Sequence, residues 1–265
     1  MRNLTATTCL AVALLLGSAG VSWSQDFQKG LTAAQSGDFA TALREWTPLA
    51  KQGDADAQFN LGLMHDKGDG VAQDYETAVK WYTLAADQGK ASAQYNLGNA
   101  YGNGRGVTKD DKTAVKWFRL SAEQGIALAQ FSLGLMYDNG RGVPKDDKTA
   151  VKWFRLSAEQ GNADAQFNLG FMYHTGQGVL QDYKTAVKWY RIAAEQKHNQ
   201  AQANMGLMYV NGKGVPQDFT RAHMWWTIAG SIKNRDAVGK QMTPSQLKKA
   251  QDLARECVRK KYKGC

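Results

Sequence analysis

Proline and cysteine are both scarce in this 265-residue chain, which has four prolines and three cysteines. Because proline interrupts the hydrogen bonds of a helix, so few prolines permit long helices. Hydrophobic residues make up 43% of the sequence and charged residues 22%. This balance indicates a chain that buries a core, and it excludes an intrinsically disordered protein.

Known signatures of catalysis and metal binding are absent from the sequence. The four histidines form no His-Glu-x-x-His motif and no other pair at metal-ligand spacing; they are His65, His174, His198 and His223. No Gly-x-Ser-x-Gly elbow occurs, and the recurring Gly-x-Gly strings lack the Gly-Lys-Ser/Thr of a phosphate-binding loop. Paired carboxylates such as Asp110-Asp111 begin helices, where capping explains them better than calcium binding or acid–base chemistry. We therefore predict that the protein is not an enzyme and has no catalytic residue, metal site or cofactor.

Residues 1–24 differ from the rest of the chain. Arg2 is their only charged residue, and the apolar run Leu10–Leu16 is followed by small residues. The run is too short for a membrane span, which takes roughly 20 apolar residues. A secretory signal peptide, cut after Ser24, fits this pattern better than an uncleaved anchor. We expect a periplasmic or secreted protein that does not span the membrane.

Charge is unevenly distributed along the chain, whose formal net charge is +9. Residues 25–232 hold 22 basic and 21 acidic residues, whereas residues 233–265 hold 10 basic and 3 acidic residues. The nearly neutral body argues against nucleic acid as the main partner. The basic segment is either a solvated helix face or a contact with an anionic surface.

A repeat of 36 residues organises the chain between residues 54 and 232. The string Ala57-Gln58-Phe59-Asn60-Leu61-Gly62 recurs, with small changes, at residues 93–98, 129–134, 165–170 and 201–206. A second string, Ala78-Val79-Lys80-Trp81-Tyr82, recurs at residues 114–118, 150–154 and 186–190, and in altered form at 222–226. A fixed period of this length is typical of solenoid proteins.

Each repeat predicts two helices, A and B, joined by a loop. In the first copy Ala57, Leu61 and Met64 share one face of helix A. The loop Gly68–Val71 contains two glycines that allow a tight reversal. Asp74 then lies where a carboxylate caps the first turn of helix B.

Glycine recurs at two further places in the repeat. Gly62 and its equivalents lie inside helix A, where glycine costs roughly 1 kcal/mol relative to alanine. Their recurrence predicts a neighbouring helix that passes too close for a Cβ, and Trp81 and its equivalents are large enough to fill the space between hairpins. Gly89 and its equivalents end helix B. Lys197 replaces that glycine before the last repeat, so we expect a different turn there.

No hairpin can cover its own apolar face alone, so the copies must stack. We predict an all-α fold, a right-handed α-solenoid of stacked helix-turn-helix repeats with a concave side. Five repeats occupy residues 54–232, and residues 25–53 form an N-terminal capping helix pair whose second part matches helix B. The combined pattern of Ala-Gln-aromatic-Asn-Leu-Gly, Gly-x-Gly-Val and Ala-Val-Lys-Trp-aromatic resembles the Sel1-like repeat, a relative of the tetratricopeptide repeat.

This resemblance implies a protein-binding scaffold, with a protein or peptide as its partner. Peptidoglycan binding, or regulation of the enzymes that remodel the cell wall, is a second interpretation. The third is weak hydrolysis of β-lactams, which is attributed to cysteine-rich relatives that carry a disulfide in each repeat. No repeat of this chain contains a cysteine, and this departure argues against the hydrolase.

The resemblance also implies that helix A lines the concave side, as in tetratricopeptide arrays. Aligning the family's Leu-Gly-x-x-Tyr with residues 61–65 directs a second stripe of helix A inward. The predicted partner-binding residues are Phe59, Leu63, Tyr95, Asn99, Phe131, Leu135, Phe167, Phe171 and His174. They would form an aromatic groove with a polar border that takes an extended or helical peptide.

Packing between repeats is the alternative role for the aromatic residues of this stripe. Phe59, Tyr95, Phe131 and Phe167 follow glutamine in four of the five copies, and a recurring residue suits a structural contact. Asn99, Phe171 and His174 vary between copies, so they are better candidates for specificity.

Residues 233–265 lose the period and form a basic capping segment. Thr243-Pro244-Ser245-Gln246 predicts a capping box with proline at the first helical position. The helix that follows would cover the last repeat, as solenoids require. Cys257 and Cys265 form a disulfide in an oxidising compartment, or else they remain two unpaired thiols.

Overall fold

The computed structural model of the chain describes residues 25–265. The expected signal peptide, residues 1–24, lies outside the described residues. Within residues 25–265 the regular secondary structure is entirely helical. The chain divides into two compact units, of which unit 1 ends at Gln124 and unit 2 begins at Gly125.

Unit 1 contains six helices. The first, α1, covers residues 25–35 of the described chain. The others are α2 (Phe39–Lys51), α3 (Ala55–Lys67), α4 (Tyr75–Asp87), α5 (Ala91–Asn103) and α6 (Asp111–Glu123). Helices α3 and α5 are A helices, and α4 and α6 are the B helices of the same two repeats.

Unit 2 contains eight helices. Three further repeats supply α7 (Ala127–Asn139), α8 (Asp147–Glu159), α9 (Ala163–Thr175), α10 (Tyr183–Glu195), α11 (Asn199–Asn211) and α12 (Phe219–Ile228). The sequence pattern did not predict α13 (Ile232–Gly239), a short helix that precedes the predicted capping helix α14 (Pro244–Arg259).

Helices pack in the order of the sequence inside each unit. In unit 1 each of α3, α4 and α5 packs on the helix that follows it, and in unit 2 the same holds from α7 to α12. Helix α12 also packs on α13 and α14. The predicted all-α solenoid of stacked helix pairs is therefore confirmed.

An aromatic ring lies against the glycine inside each A helix. A Cβ on Gly62 would lie 2.6 Å from the Tyr82 ring, and one on Gly134 would lie 2.7 Å from the Phe154 ring. The predicted close approach is confirmed, and the group that approaches is a ring from helix B of the same repeat. Trp81, which precedes Tyr82, is only half-buried and packs against the apolar cluster of α2 and α3.

The N-terminal hairpin of α1 and α2 repeats this contact with a shorter loop. A Cβ on Gly30 would lie 2.5 Å from the indole of Trp46. The Trp46 indole N–H also donates a hydrogen bond of 3.2 Å to the carbonyl of Phe27. Residues 25–53 are therefore built like a repeat, although their sequence departs from its pattern.

Within each unit, a buried glutamine in helix A links a repeat to the one before it. Gln94 is 4% exposed, and its Nε2 donates a 3.1 Å hydrogen bond to the carbonyl of Ala86 near the end of α4. Its Oε1 accepts a 2.8 Å hydrogen bond from Nε2 of Gln124, at the end of the B helix of its own repeat. Gln166 in unit 2 makes the same two bonds, to Ala158 and from Gln196. The side chain thus gives a second donor to a carbonyl at the end of the preceding helix, which also accepts the N–H of the glycine in the turn.

Aspartates cap the B helices, as predicted. Oδ1 of Asp74 accepts hydrogen bonds from the backbone N–H groups of Glu76 at 3.0 Å and Thr77 at 3.1 Å. The Thr77 hydroxyl donates to Oδ2 of the same carboxylate at 2.6 Å. These bonds to Thr77 and Glu76 lower the pKa of Asp74 below its usual value. Asp110 makes the same contacts, so capping accounts for the carboxylate pair at residues 110–111.

The turn at Lys197 does not differ from the others, and the expectation from sequence was wrong. Lys197 adopts the left-handed conformation with φ of 67°, as glycine does at this position in the earlier repeats. The N–H of His198 bonds the carbonyl of Ala193 at 3.1 Å, which matches the bond from Lys90 to Ala85 at 3.0 Å. The backbone accepts a lysine here, and its ammonium lies 5.4 Å from the ring centroid of Tyr262.

The C-terminal segment closes unit 2. The capping box predicted at Thr243 and Gln246 is present, and α14 buries Ala250, Ala254 and Cys257. A disulfide joins Cys257 to Cys265. The backbone N–H of Gly264 donates to Oε1 of Glu195 at 3.2 Å, so the end of the chain lies against the end of α10.

Two glycines of α5 provide a matched test of the ring contact. A Cβ on Gly98 would lie 2.6 Å from the Phe118 ring, whereas one on Gly102 would meet only the Cβ of Ala114 at 3.6 Å. We expect Gly98→Ala to lower the free energy of unfolding by about 1–3 kcal/mol, because the ring must move. Gly102→Ala should raise it by about 0.5–1 kcal/mol, because alanine favours helix. Chemical denaturation measures both, and equal effects would contradict a role for the ring.

Candidate functional site

The predicted groove residues of the A helices form two rows, and the first row is aromatic. Phe59, Tyr95, Phe131 and Phe167 are all half-buried. Their ring centroids lie 5.9–6.0 Å from the ring that covers the glycine of the same repeat. Phe59 also packs against the apolar cluster of α4 and α5, and Phe131 against that of α8 and α9. These rings therefore contribute to packing between repeats, and their contact with a partner stays a prediction.

The second row lies four residues further along each A helix. Its predicted members Leu63, Asn99 and Leu135 are half-buried, whereas Phe171 is 41% exposed. The prediction omitted Leu207, which follows Phe171 by one period and is 40% exposed. Counting 36 residues forward from Phe171 would have found it. In unit 2 this row, which we call the apolar row, consists of Leu135, Phe171 and Leu207.

Polar side chains border the apolar row one helical turn further on. The side chains of Asn139, Thr175 and Asn211 are exposed. Each donates a hydrogen bond to the backbone carbonyl of the apolar-row residue four positions earlier in its helix. Their side chains are therefore held in place beside the apolar row. These residues were not among those predicted from the sequence, and the predicted groove stays a prediction.

His174 lies at the end of α9 and contacts two tyrosines. Its Nδ1 is 3.4 Å from the hydroxyl of Tyr190, and its ring meets the Tyr183 ring edge-on at a centroid distance of 5.6 Å. Burial, together with the nearby charge of Lys213, lowers the pKa of His174 below its ordinary value. The neutral form of the imidazole is thus favoured, and the tautomer of the ring decides whether Nδ1 accepts from the Tyr190 hydroxyl or donates to it.

Asn99 lies in a cavity of unit 1. The cavity has a volume of about 190 Å³ and opens between α3, α4 and α5. Asp66, Tyr82 and Asn96 contribute to its lining. In unit 1 the predicted site residue Asn99 thus lies in a pocket and not on an apolar row.

Within residues 25–265, no three histidine, cysteine or acidic side chains come together as a metal site would require. In the same part of the chain, none of the helices combines the length and the apolar character that crossing a membrane would need.

Family comparison identifies the repeats. The Sel1 repeat model matches five consecutive segments, at residues 55–90, 91–126, 127–162, 163–198 and 199–231. The chain belongs to the Sel1 repeat family. Sel1 repeat proteins are typically protein–protein interaction scaffolds and are generally non-catalytic.

Two solved structures resemble this Sel1 repeat protein closely. A protective antigen of uropathogenic Escherichia coli with an SLR fold is 34% identical, with a TM-score of 0.77 over 84% of this chain and 50% of its own. This chain thus matches about half the length of that protein. A Sel1 repeat protein from Oxalobacter formigenes is 35% identical, with a TM-score of 0.73 over 77% of this chain and 84% of its own. A search of curated proteins gave no match.

The lowered pKa of His174 predicts a stability that depends on pH. The unfolded chain binds a proton at His174 more readily than the folded protein does. The stabilising contribution of the neutral His174 side chain is therefore present above its ordinary pKa. It is lost as the pH falls from about 7 towards about 5. In His174→Val, which places the residue of position 210 here, thermal unfolding midpoints should fall less over this range. His223, whose pKa burial also lowers, keeps part of the dependence; an unchanged slope would contradict the assignment.

Proposed function

We propose that this protein is a non-enzymatic scaffold that binds a partner protein or peptide on the A-helix face of unit 2. The observation that carries this proposal is the apolar row, in which Phe171 and Leu207 expose about two fifths of their surface. Both occupy the same position in consecutive repeats, so one linear segment of a partner would meet both. Burying exposed apolar surface contributes roughly 25 cal/mol per Å² to association.

The physical basis of binding is a surface fixed before the partner arrives. The A helices that carry Phe171 and Leu207 are each held by a glycine–aromatic contact and a buried glutamine. A rigid surface loses little conformational entropy on binding, which favours affinity. The polar border of Asn139, Thr175 and Asn211 would remain accessible to the partner's backbone.

We further propose that the protein acts in the periplasm or outside the cell. The charge and apolar pattern of residues 1–24 supports export, and the disulfide between Cys257 and Cys265 is stable in an oxidising compartment. The relative from Escherichia coli is a protective antigen, and a location outside the cytoplasm is in keeping with that description.

Peptide selection tests the proposed surface directly. Peptides enriched from a random display library on the purified protein should bind through apolar side chains. In Phe171→Ser/Leu207→Ser, calorimetry should show roughly tenfold weaker binding, since two apolar contacts are lost. Leu156→Ser is the matched control, because Leu156 is similarly exposed but lies on B helix α8. Equal losses in both variants, or none in the double variant, would refute the proposal.

The basic face of α14 supports a second, separate contact. Lys248 and Lys249 are exposed on α14, and neither forms an ion pair with the described residues. Nearby Arg255 and Lys260 are paired with Asp252 and Glu256. We propose that the unpaired lysines contact an anionic polymer of the envelope, with peptidoglycan as the candidate.

Sedimentation with purified sacculi measures this contact. Binding should weaken with added salt, because exposed charges are screened. We expect Lys248→Glu/Lys249→Glu to lose most of the bound fraction. Lys148→Glu/Lys184→Glu changes the net charge equally in the same unit and should retain it. If both variants lose binding alike, net charge and not this face is responsible.

A further inference from the structure

The A helix of the second repeat departs from the other four at two adjacent positions. Asn99 stands where the others have leucine or phenylalanine, at residues 63, 135, 171 and 207. Ala100 stands where the others all have methionine, at residues 64, 136, 172 and 208. These methionines are buried, with 0–4% of their surface exposed. The second repeat therefore lacks a large side chain that fills space in every other repeat.

The missing volume appears as the cavity of unit 1. It measures about 190 Å³, and both Asn99 and Ala100 line it. The end of α3, the inner face of α4 and one side of α5 enclose it. Its polar lining consists of Asp66, Tyr82, Asn96, Asn99, Asn103 and Arg105.

Asp66 is a half-buried carboxylate without a cationic partner. Among the described residues its side chain accepts one hydrogen bond, a long one of 3.4 Å from the hydroxyl of Tyr82. Burial and the Asp66 charge raise the pKa of Tyr82, so the phenol keeps its proton and donates it to Asp66. A carboxylate has about four acceptor sites, so most of the capacity of Asp66 is unused.

The side-chain amide of Asn99 also lacks a hydrogen bond to the described residues, although its backbone carbonyl accepts one from Asn103. Arg105 does not neutralise Asp66, because its guanidinium lies over the Tyr75 ring, 5.5 Å from the centroid. A carboxylate and an amide thus line one cavity, and no side chain of the described residues fills their remaining hydrogen-bonding positions. A partly buried charge in that state favours binding of an opposite charge.

We propose that this cavity binds a lysine or arginine side chain of the partner, whose cationic group pairs with Asp66 while Asn99 bonds the partner's backbone. This inference goes beyond the proposed surface on unit 2, because it assigns a second binding site in unit 1. Arg105 is exposed at the opening of the cavity, where its N–H groups can donate hydrogen bonds to a carbonyl or carboxylate of the partner next to the bound cation.

The junction of the third and fourth repeats provides a natural comparison within unit 2. Asp138 occupies the position of Asp66, but Phe171 and Met172 occupy those of Asn99 and Ala100. Burial and nearby Asp147 raise the pKa of Asp138 above its usual value. The two small or polar residues that line the cavity of unit 1 are therefore replaced here by large apolar ones.

Nuclear magnetic resonance titration of the full exported chain tests the cavity. The probe is N-acetyl-lysine N-methylamide, and the neutral control probe is N-acetyl-norleucine N-methylamide, which has a similar length. The lysine probe should shift the amide signals of residues 66–105, and the norleucine probe should not. Asp66→Asn should weaken binding roughly tenfold, as expected for a charge-assisted hydrogen bond. Asp138→Asn, the same change in unit 2, should leave binding unaltered.

A second variant fills the cavity with the side chains that other repeats have at these positions. Asn99→Leu/Ala100→Met gives the second repeat the side chains of the others, so it should fold normally and lose the lysine probe. Equal shifts by both probes, or unchanged binding in either this variant or Asp66→Asn, would overturn the proposal. Peptides whose binding is lost in Phe171→Ser/Leu207→Ser report separately on the scaffold function, because their contacts lie in unit 2.

Discussion

The fold depends on the contact between a glycine in helix A and an aromatic ring in helix B of the same repeat. A Cβ at Gly62, Gly134 or Gly206 would lie 2.5–2.7 Å from the facing ring, well inside contact distance, so the two helices approach as closely as a missing side chain allows. The energetic cost of a helical glycine is offset by full burial of a large ring. The residue that follows this glycine lies beside the contact, and in unit 2 it belongs to the apolar row of Leu135, Phe171 and Leu207.

Within each unit, the buried glutamine fixes the position of one repeat relative to the next. Its amide bonds the end of the preceding B helix and accepts from the end of its own, so three helix segments meet at one side chain. A hydrogen bond between repeats fixes their register in a way that apolar packing alone does not, because an unsatisfied buried amide or carbonyl is costly. The same pair of glutamine hydrogen bonds thus aligns neighbouring repeats within a unit and recurs with the period of 36 residues.

Period and residue type were enough to predict the helix pairs, the aspartate caps, the close approach at glycine and the capping box at Thr243. They did not show which ring of the Trp-Tyr pair covers the glycine, because both residues are large and adjacent. Lys197 was misjudged because a positive φ disfavours but does not exclude lysine. Helix α13 has no periodic counterpart. The cavity escaped notice because it arises from side chains that one repeat lacks, and Asn99 was singled out only as a residue that varies.

Packing between immediate neighbours has a consequence for how such a chain diversifies. Helix α5 packs chiefly on α4 and α6, so its two unusual residues alter one pocket while distant repeats keep their own contacts. Duplication supplies the raw material, since α6 and α8 share the identical sequence DKTAVKWFRLSAE. Substitutions in one copy can then create a binding site of its own, while the helical backbone of the repeat stays the same.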